Sequence, residues 1–582
     1  MGALSDLVFL LHADDPEGVA PLLDALEGSG ARVGLVLSGE VLGALEAAPV
    51  VRDRLRALVD QGAVELLGTP LYAPVLALLP ERDAVGQLLA HAGLLRRLLG
   101  VRPRGAVLPH GLWEPILPRV LGAAGLRWVA VPEAHLREAG AGLDGIHRTE
   151  REGHCVALLP IADGAAEGRG LVVRRLEGPA ALAEAASEGP TVLPSQAVDL
   201  GADLGRVYLP AWGRPWEPHL VRHEVANRLH KKTLRVSLLI ERLGRHLERD
   251  DRSTRPDPAH LVQARRYLYR AQAAAPYGPP GVHDPAIRER AWRDAVRAEE
   301  VALEALEAGE RFVVERLDHD CDGVEDVLLR TPDTALVIHP RGAGVTELTV
   351  GSLGRNVAAV PTRRPPTGAP EVGSDAAPRA LLVERFLDPE ATLDAVAAGR
   401  AVDRDRGLRE GLWQVVAAER HGEDGLRAVL EREGVVEAAG ARHRVRVQKR
   451  FTLKDRTLGF RSELVARGGG AFRARHALEL NLSLGPDLHR QQLRIGDLLH
   501  PLSEPGDRGR VEGFLLVSPE VTVEVQLLQP ARLWHHPVQT VSGEAGAWRV
   551  WGQGVCVLLV HEPAVEAGSR ARFDLKLRVA SP

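Results

Sequence analysis

The chain has 582 residues, too many for one ordinary core, so two or three domains are expected. Its content of 45% apolar and 26% charged residues excludes a disordered chain, and a net charge of −5 offers no electrostatic footprint for nucleic acid. No run approaches the ~18 apolar residues of a membrane span, and the opening MGALSDLVFLLHADDPEG lacks the basic region of a signal peptide. The cysteines, Cys155, Cys321 and Cys556, show no metal-type spacing and are expected to be free thiols of a reducing cytoplasm. Lysine is scarce beside abundant Arg, Ala, Gly, Leu and Pro, a bias of the kind a GC-rich genome produces.

Leu7 to Leu11 is a buried-type strand ending on His12, Ala13, Asp14, Asp15 and Pro16, and Gly18 to Leu26 follows with helical spacing. Strands recur at Val33 to Leu37 and Val64 to Leu67, with the amphipathic Val51 to Val59 between them, and Ala84 to Leu99 is a helix closed by Gly100. This alternation predicts a parallel sheet covered by helices, either a barrel or a doubly wound sheet. GAVLPHGLWEP, Gly105 to Pro115, runs an apolar strand into a Pro-His-Gly turn and then Trp113, Glu114 and Pro115, the way a barrel strand delivers side chains to its carboxyl-end face. Strand-like Trp128 to Val131 and Val156 to Leu159 precede an Ala-rich helix. In Gly205 to Ser237, Glu224, Asn227 and Lys231 share a helix face, which reads first as a solvated, salt-bridged surface.

A polar linker, Glu248 to Pro258, leads to two helices, Ala259 to Ala274 and Pro285 to Ala308. From Arg311 onward short β-patterned runs with turn signals predict a β-sandwich. It opens on Asp318, Asp320, Asp322 and Gly323, a D-x-D-x-D-G pattern in which alternate carboxylates converge around a turn. Leu329 holds the place of the EF-hand glutamate, which leaves either a lone calcium turn or an acidic hairpin. Pro361 to Pro378, rich in Pro, Arg, Gly and Ser, reads as a loose excursion.

Val64 to Pro74, Gly105 to Pro115 and Gly205 to Ser237 resemble glycoside hydrolase family 57 in its 4-α-glucanotransferase and α-amylase branch, and HPVQTVSGEAG, His536 to Gly546, resembles an element of that branch's carboxyl-terminal domain. The resemblance implies an incomplete (β/α)7 barrel over residues 1–247, a helical segment over 259–310 packed on it, and a β-sandwich over 311–582. In the family a segment like W-L-x-E-x-x-W-E-P provides the nucleophilic Glu. Here Trp113, Glu114 and Pro115 match, and the nucleophile position holds His110. The family's H-x-H-Q-P stands here as His12 to Pro16, and its E-L-L-x-x-x-Y-E-P as Glu65, Leu66, Leu67, then Tyr72, Ala73 and Pro74. The acid motif, like D-D-G-E-K-F-G, is placed on Thr191 to Gly201, where Asp199 and Asp203 are the nearest carboxylates. AQAAAPYGPPGVHDP keeps Gln272 and Tyr277 of a further substrate segment.

The resemblance thus implies a substrate cleft built from His12, Asp14, Asp15, Glu65, Tyr72, Trp113, Glu114, Trp212 and Trp216, with Asp199 a candidate acid, no required cofactor, and calcium at Asp318, Asp320 and Asp322. The expected partner is an α-1,4-glucan or maltooligosaccharide, with a second copy or a glycogen-associated protein as further candidates, and neither nucleic acid nor membrane. A retaining glycosidase needs two carboxylates about 5–5.5 Å apart, and both positions are altered here. Three readings stand: a catalytically silent α-glucan-binding member, an active glucanotransferase or amylase with a replacement carboxylate, and a metal-dependent carbohydrate hydrolase built on His12, Asp14, Asp15 and His110.

Overall fold

The computed structural model describes residues 6–163, 170–213, 216–248, 256–306, 312–467, 471–544, 546–566 and 568–582, so most of the expected linker at 248–258 lies outside the described residues. The chain divides into two compact units, Met1–Trp216 with Gln272–Ala274, and Glu217–Ala271 with Ala275–Pro582.

The first unit is α/β. Its strands are β1 (Asp6–Ala13), β2 (Val33–Leu37), β3 (Val64–Leu67), β4 (Gly105–Val107), β5 (Trp128–Pro132), β6 (Ile146–Arg151), β7 (His154–Ile161), β8 (Leu171–Leu176) and β9 (Asp203–Arg206). One parallel sheet has the order β3-β2-β1-β8, and a second runs β4-β5-β7 in parallel before β6 adds antiparallel and β9 flanks it. The two sheets are stitched at both edges. Gly68 N–H donates to Gly105 O (2.8 Å) and Val107 N–H to Gly68 O (3.0 Å) between β3 and β4, while Ala162 N–H donates to Val173 O (2.8 Å) where β7 meets β8. The ring β8-β1-β2-β3-β4-β5-β7 is therefore an incomplete, seven-stranded β/α barrel.

Strands buried on both faces explain the near-continuous apolar runs. Val8, Leu10, Val36, Leu67, Val107, Trp128, Leu159, Leu171 and Val173 fill the interior with Ala197, whereas Phe9, Leu11, Val33 and Leu35 face the covering helices. One such helix, Glu81–Leu99, has Glu81 and Asp83 in its first turn, Arg96 and Arg97 in its last, and Gly100 at φ 76° as its left-handed stop.

The second unit begins with helices and continues as two antiparallel sheets. The helices are Glu224–Leu247, Pro258–Ala271 and Pro285–Ala305. Glu224–Leu247, which the sequence reading grouped with the barrel, lies in this unit, because its buried Lys232 donates to Glu299 (2.7 Å) and Glu347 (2.8 Å). A five-stranded sheet spans Val313 to Asn356, and a larger sheet of thirteen strands is built mainly from Val383 to Ala580. Val327, Leu329 and Leu336 of the first sheet share one core with Phe386, Phe451, Leu478 and Leu559 of the second, as a sandwich requires. Pro361 to Pro378 has no regular structure but is anchored. Arg363 is 1% exposed and bonds to Asp375 (2.8 Å), Val372 O and Ala397 O. No helix among the described residues is long and apolar enough to cross a membrane.

Gly105 opens β4 with no room for a side chain, since a Cβ there would lie 1.8 Å from the Trp128 indole. Overpacking of this kind costs about 1–3 kcal/mol. Gly105→Ala is expected to lower the thermal midpoint of the full chain by several degrees in a calorimetric scan; an unchanged midpoint would mean that Trp128 does not pack against β4.

Candidate active site at the barrel mouth

Parallel strands in a barrel end on one face, and along each strand inward and outward side chains alternate. In β1 the interior positions Val8 and Leu10 extend to His12. In β8 Leu171 and Val173 extend to Arg175, and in β7 Leu159 and Ile161 extend to Asp163, two residues past the strand. The inward groups at the strand ends are therefore an imidazole, a guanidinium and a carboxylate.

Asp163 and Arg175 line a cavity of about 200 Å³ together with Leu108, Trp113, His135 and Ile161. Asp163 is held 3.1 Å from Arg137, which also binds Glu133 at 2.8 Å. His135 donates from Nε2 to Pro210 O (2.9 Å) and stacks on Trp212 at 5.1 Å, with Trp113 edge-on at 6.0 Å. Burial pushes the His135 pKa down. Trp113 and Trp212 exchange backbone hydrogen bonds of 3.1 and 2.9 Å, so Trp113, 3% exposed, acts as an anchor of the mouth rather than an open stacking face. Trp212 and Trp216 are half-buried.

His110 sits just past β4 in a short turn at φ 63°, a left-handed conformation that a residue with a side chain adopts only under constraint. The constraint is visible: its Nε2 donates to Ala73 O at 3.2 Å, and Ala73 is itself left-handed at φ 48°. His110 thus laces the loop after β4 to the loop after β3. Glu114 is half-buried against Pro74, Leu76, Trp113 and Leu117. Tyr72 is half-buried, and its backbone N–H donates to Gln87 Oε1 at 3.2 Å. Gln272 donates to Asp83 (2.6 Å) and accepts from Gln87 (3.3 Å), a buried polar contact within this unit.

Two residues placed in the cleft by sequence lie elsewhere. Glu65 lies on the inward row of β3, two residues short of the strand end at Leu67. There it accepts from Ser195 N–H (2.8 Å) and the Ser195 hydroxyl, which also accepts from Trp128 Nε1 (3.0 Å). Burial raises its pKa, with the Ser195 bonds opposing. Thr191 to Gly201 is not a strand end: Thr191 bridges Leu7 at the start of β1, and Pro194–Leu200 is a helix that closes the barrel's lower end. A Cβ on Gly34 would lie 2.6 Å from Pro194, which shows how tightly this helix plugs the ring. Asp199 on it pairs with Arg104 at 3.1 Å, immediately before β4. Asp199 and His110 therefore belong to opposite ends of the barrel. Asp203 pairs with Arg148 at 3.3 Å.

Asp15 caps the turn that follows β1, accepting from Glu17 N–H at 3.1 Å, and both Asp14 and Asp15 are exposed. Groups of three His, Cys, Asp or Glu ligand atoms within 4.8 Å of one another occur, among the described residues, only among Asp318, Asp320, Asp322 and Asp326 of one turn and the neighbouring His339, so His12, Asp14, Asp15 and His110 do not converge as a metal site. In that turn Asp318 accepts from Asp322 and Gly323 N–H (3.0 and 2.9 Å), Asp326 binds His339 (2.7 Å), and Asp320 Oδ2 faces Arg228 (3.5 Å). Glu224 pairs with Arg364 (2.6 Å) and Asn227 donates to Asp320 O (2.8 Å), so that helix face holds the second unit together.

A β/α barrel with a candidate site at its strand ends, followed in the chain by a large antiparallel sandwich, places the chain in an architecture whose chemistry is expected at the carboxyl-end face of the barrel. The chain carries a glycoside hydrolase family 57 domain followed by a carboxyl-terminal domain of the α-amylase/4-α-glucanotransferase type. The model for glycosyl hydrolase family 57 matches residues 23–161, and that for the α-amylase/4-α-glucanotransferase C-terminal domain matches 368–577. A 4-α-glucanotransferase of Thermococcus kodakarensis is 24% identical over 641 aligned positions, covering 90% of this chain and 89% of the relative. An α-amylase of Pyrococcus horikoshii is 24% identical, covering 93% and 92%. The fold matches the crystal structure of 4-α-glucanotransferase from Thermococcus litoralis with a TM-score of 0.80 at 19% identity, over all of both chains.

The sequence reading missed Asp163, Arg175 and His135. For Arg175 the signal was the Val-Val core of β8, which its two arginines interrupt. The His12 pKa is lowered from 6.5 to about 4, first by burial and then by Arg175. The neutral ring thus contributes stability that is present above about pH 6.5 and lost as pH falls toward 4. Arg175→Gln is expected to raise the His12 pKa in an NMR titration; an unchanged value would mean that Arg175 points away from the mouth.

Proposed function

We propose that this family 57 chain binds α-glucan in the barrel mouth without turning it over. The observation that supports it most is the set of strand-end groups: Arg175 and Asp163 line the cavity, His12 lies close enough to Arg175 to feel its charge, and the one carboxylate among the lining residues is already paired with Arg137. A double displacement needs a nucleophile and an acid, and His110 at the resembled nucleophile position is tied to a backbone carbonyl. Loss of a nucleophile costs on the order of 10⁴–10⁶ in turnover. The substrate class comes from the relatives, which are a 4-α-glucanotransferase and an α-amylase.

Incubation with maltoheptaose and glycogen, followed by product chromatography, is expected to give no product, while migration in glycogen gels is retarded. Turnover that survives His110→Ala and is abolished by Asp163→Asn would replace this reading with an active glucanotransferase using Asp163.

We also assign the cation-binding capacity of the chain to the Asp318–Asp326 turn, on the strength of its hard oxygen donors and of Asp320 Oδ1, which is buried without a hydrogen-bond partner among the described residues. Calcium titrated into chelator-treated protein is expected to show one site by calorimetry, lost in Asp320→Asn; absence of heat in the natural protein refutes the assignment.

A further inference from the structure

A cavity of about 570 Å³ opens in the large sheet of the second unit, on strands Arg475–Leu482, Gly506–Val517, Thr522–Ser542, Arg549–His561, Arg570–Ala580 and Thr457–Ala466. Its inner wall breaks the pattern of the sandwich core. On strand Arg475–Leu482, Leu478, Leu480 and Leu482 point into the core, and the next position of the same parity is His476. On strand Arg549–His561, Val555, Val557 and Leu559 lead in the same way to His561, directly opposite His476 in the ladder. Ser462 continues the row from Leu464. Polar groups at core positions cost stability unless something binds them. Here His561 Nε2 is buried with no hydrogen-bond partner among the described residues. His476 Nε2 lies 3.8 Å from the buried Glu384 carboxylate. Phe573 packs edge-on to His561 at 4.2 Å and supplies an apolar wall with Leu464 and Val560.

The rim has a different chemistry. Arg473, Arg510, Arg532 and Arg572 all reach the cavity and are exposed. Asp507 holds Arg532 (2.9 Å) and Glu463 holds Arg572 (3.0 Å), whereas no ion pair of Arg473 or Arg510 with a carboxylate is found among the described residues. Arg510 donates to Pro530 O at 3.3 Å. Glu562, the acidic member of the lining, is itself neutralised by Arg475 at 2.8 Å. The rim therefore carries net positive charge in a planar donor geometry suited to an oxyanion. The wall behind it offers uncharged imidazoles, a hydroxyl and an amide (Gln529), groups suited to sugar hydroxyls.

We propose that this cavity is a second ligand site, separate from the barrel mouth, that takes a sugar bearing an oxyanion, a phosphorylated mono- or disaccharide. Its volume falls within the ~300–1,000 Å³ of small-molecule sites. The guanidinium rim receives the phosphate, and the sugar ring lies against Phe573 with its hydroxyls toward His476, His561 and Ser462. The site stands independently of whether the barrel turns over glucan.

Calorimetry on the full chain with glucose 6-phosphate, glucose 1-phosphate, glucuronate, glucose and inorganic phosphate tests this. A phosphorylated glucose is expected to bind at least tenfold more tightly than either glucose or inorganic phosphate. Arg473→Gln and Arg510→Gln are each expected to weaken it about tenfold while leaving retardation in glycogen gels unchanged. In the natural protein the affinity is expected to fall as salt rises, a readout that needs no variant. Glucuronate binding equal to that of the phosphates would support an oxyanion-bearing sugar and identify the carboxylate as an equal anchor. No binding of any anionic sugar at millimolar concentration, glucose binding as tightly as its phosphates, or affinity indifferent to both arginines and to salt would overturn the proposal.

Discussion

Seven strands that run in parallel around a ring must all finish on the same side, and this constraint decides which side chains of the first unit can meet. His12, Asp163 and Arg175 come from β1, β7 and β8, far apart in sequence, yet reach one mouth because each continues the inward row of its strand. The same constraint keeps Glu65 and Asp199 apart from them. Glu65 is inward but held by Ser195, and Asp199 rides on the same helix, which packs at the strand starts. A carboxylate in the right motif is chemically useful only at the right end of the ring.

The lower end shows why Glu65 is kept although it is away from the mouth. A buried carboxyl is costly unless hydrogen-bonded, and Ser195 meets it with both its N–H and its hydroxyl while receiving the Trp128 indole N–H. Trp128 in turn fills the space that Gly105 leaves open. The chain Glu65–Ser195–Trp128–Gly105 thus locks the plug helix to β3, β4 and β5. The second unit uses a charged equivalent. Burial alone would raise the Glu347 pKa, but Lys232 and Arg235 more than offset it and hold the carboxyl at about 2. Lys232 and Arg330 likewise keep the buried Glu299 ionised. Such a network contributes less to net stability than to fixing one arrangement of helix against sheet, because leaving any member unpaired is far costlier than the pairs are favourable.

Much of the barrel was legible because strands covered on both faces must be apolar throughout. Leu7–Leu11, Val33–Leu37, Val64–Leu67 and Trp128–Val131 announce themselves in this way, and each falls within an observed strand. The sandwich was legible from its turns and alternation. Which end of the barrel each polar residue faces was not, because that depends on ring order and layer, and neither is a local property. The excursion Pro361–Pro378 misled for a related reason: its composition is that of a loose loop, but the burial of Arg363 against Asp375 is a long-range fact.

β8 is the clearest case. Leu171–Leu176 reads L-V-V-R-R-L, and its arginines break the apolar run by which a buried strand is recognised. Each has a reason that only the folded chain supplies. Arg174 points outward and binds Glu188 at 2.7 Å on the surface, while Arg175 points inward at the mouth, beside the neutral His12. Closing the ring requires a strand here, since β1 needs a parallel partner on its second edge. A charge on the inward row of that strand is tolerable only at its last layer, where the barrel opens to solvent. The residue that hid the strand is thus one that gives the mouth its chemistry, and sequence patterns are least readable where a fold departs from its own rule to make a site.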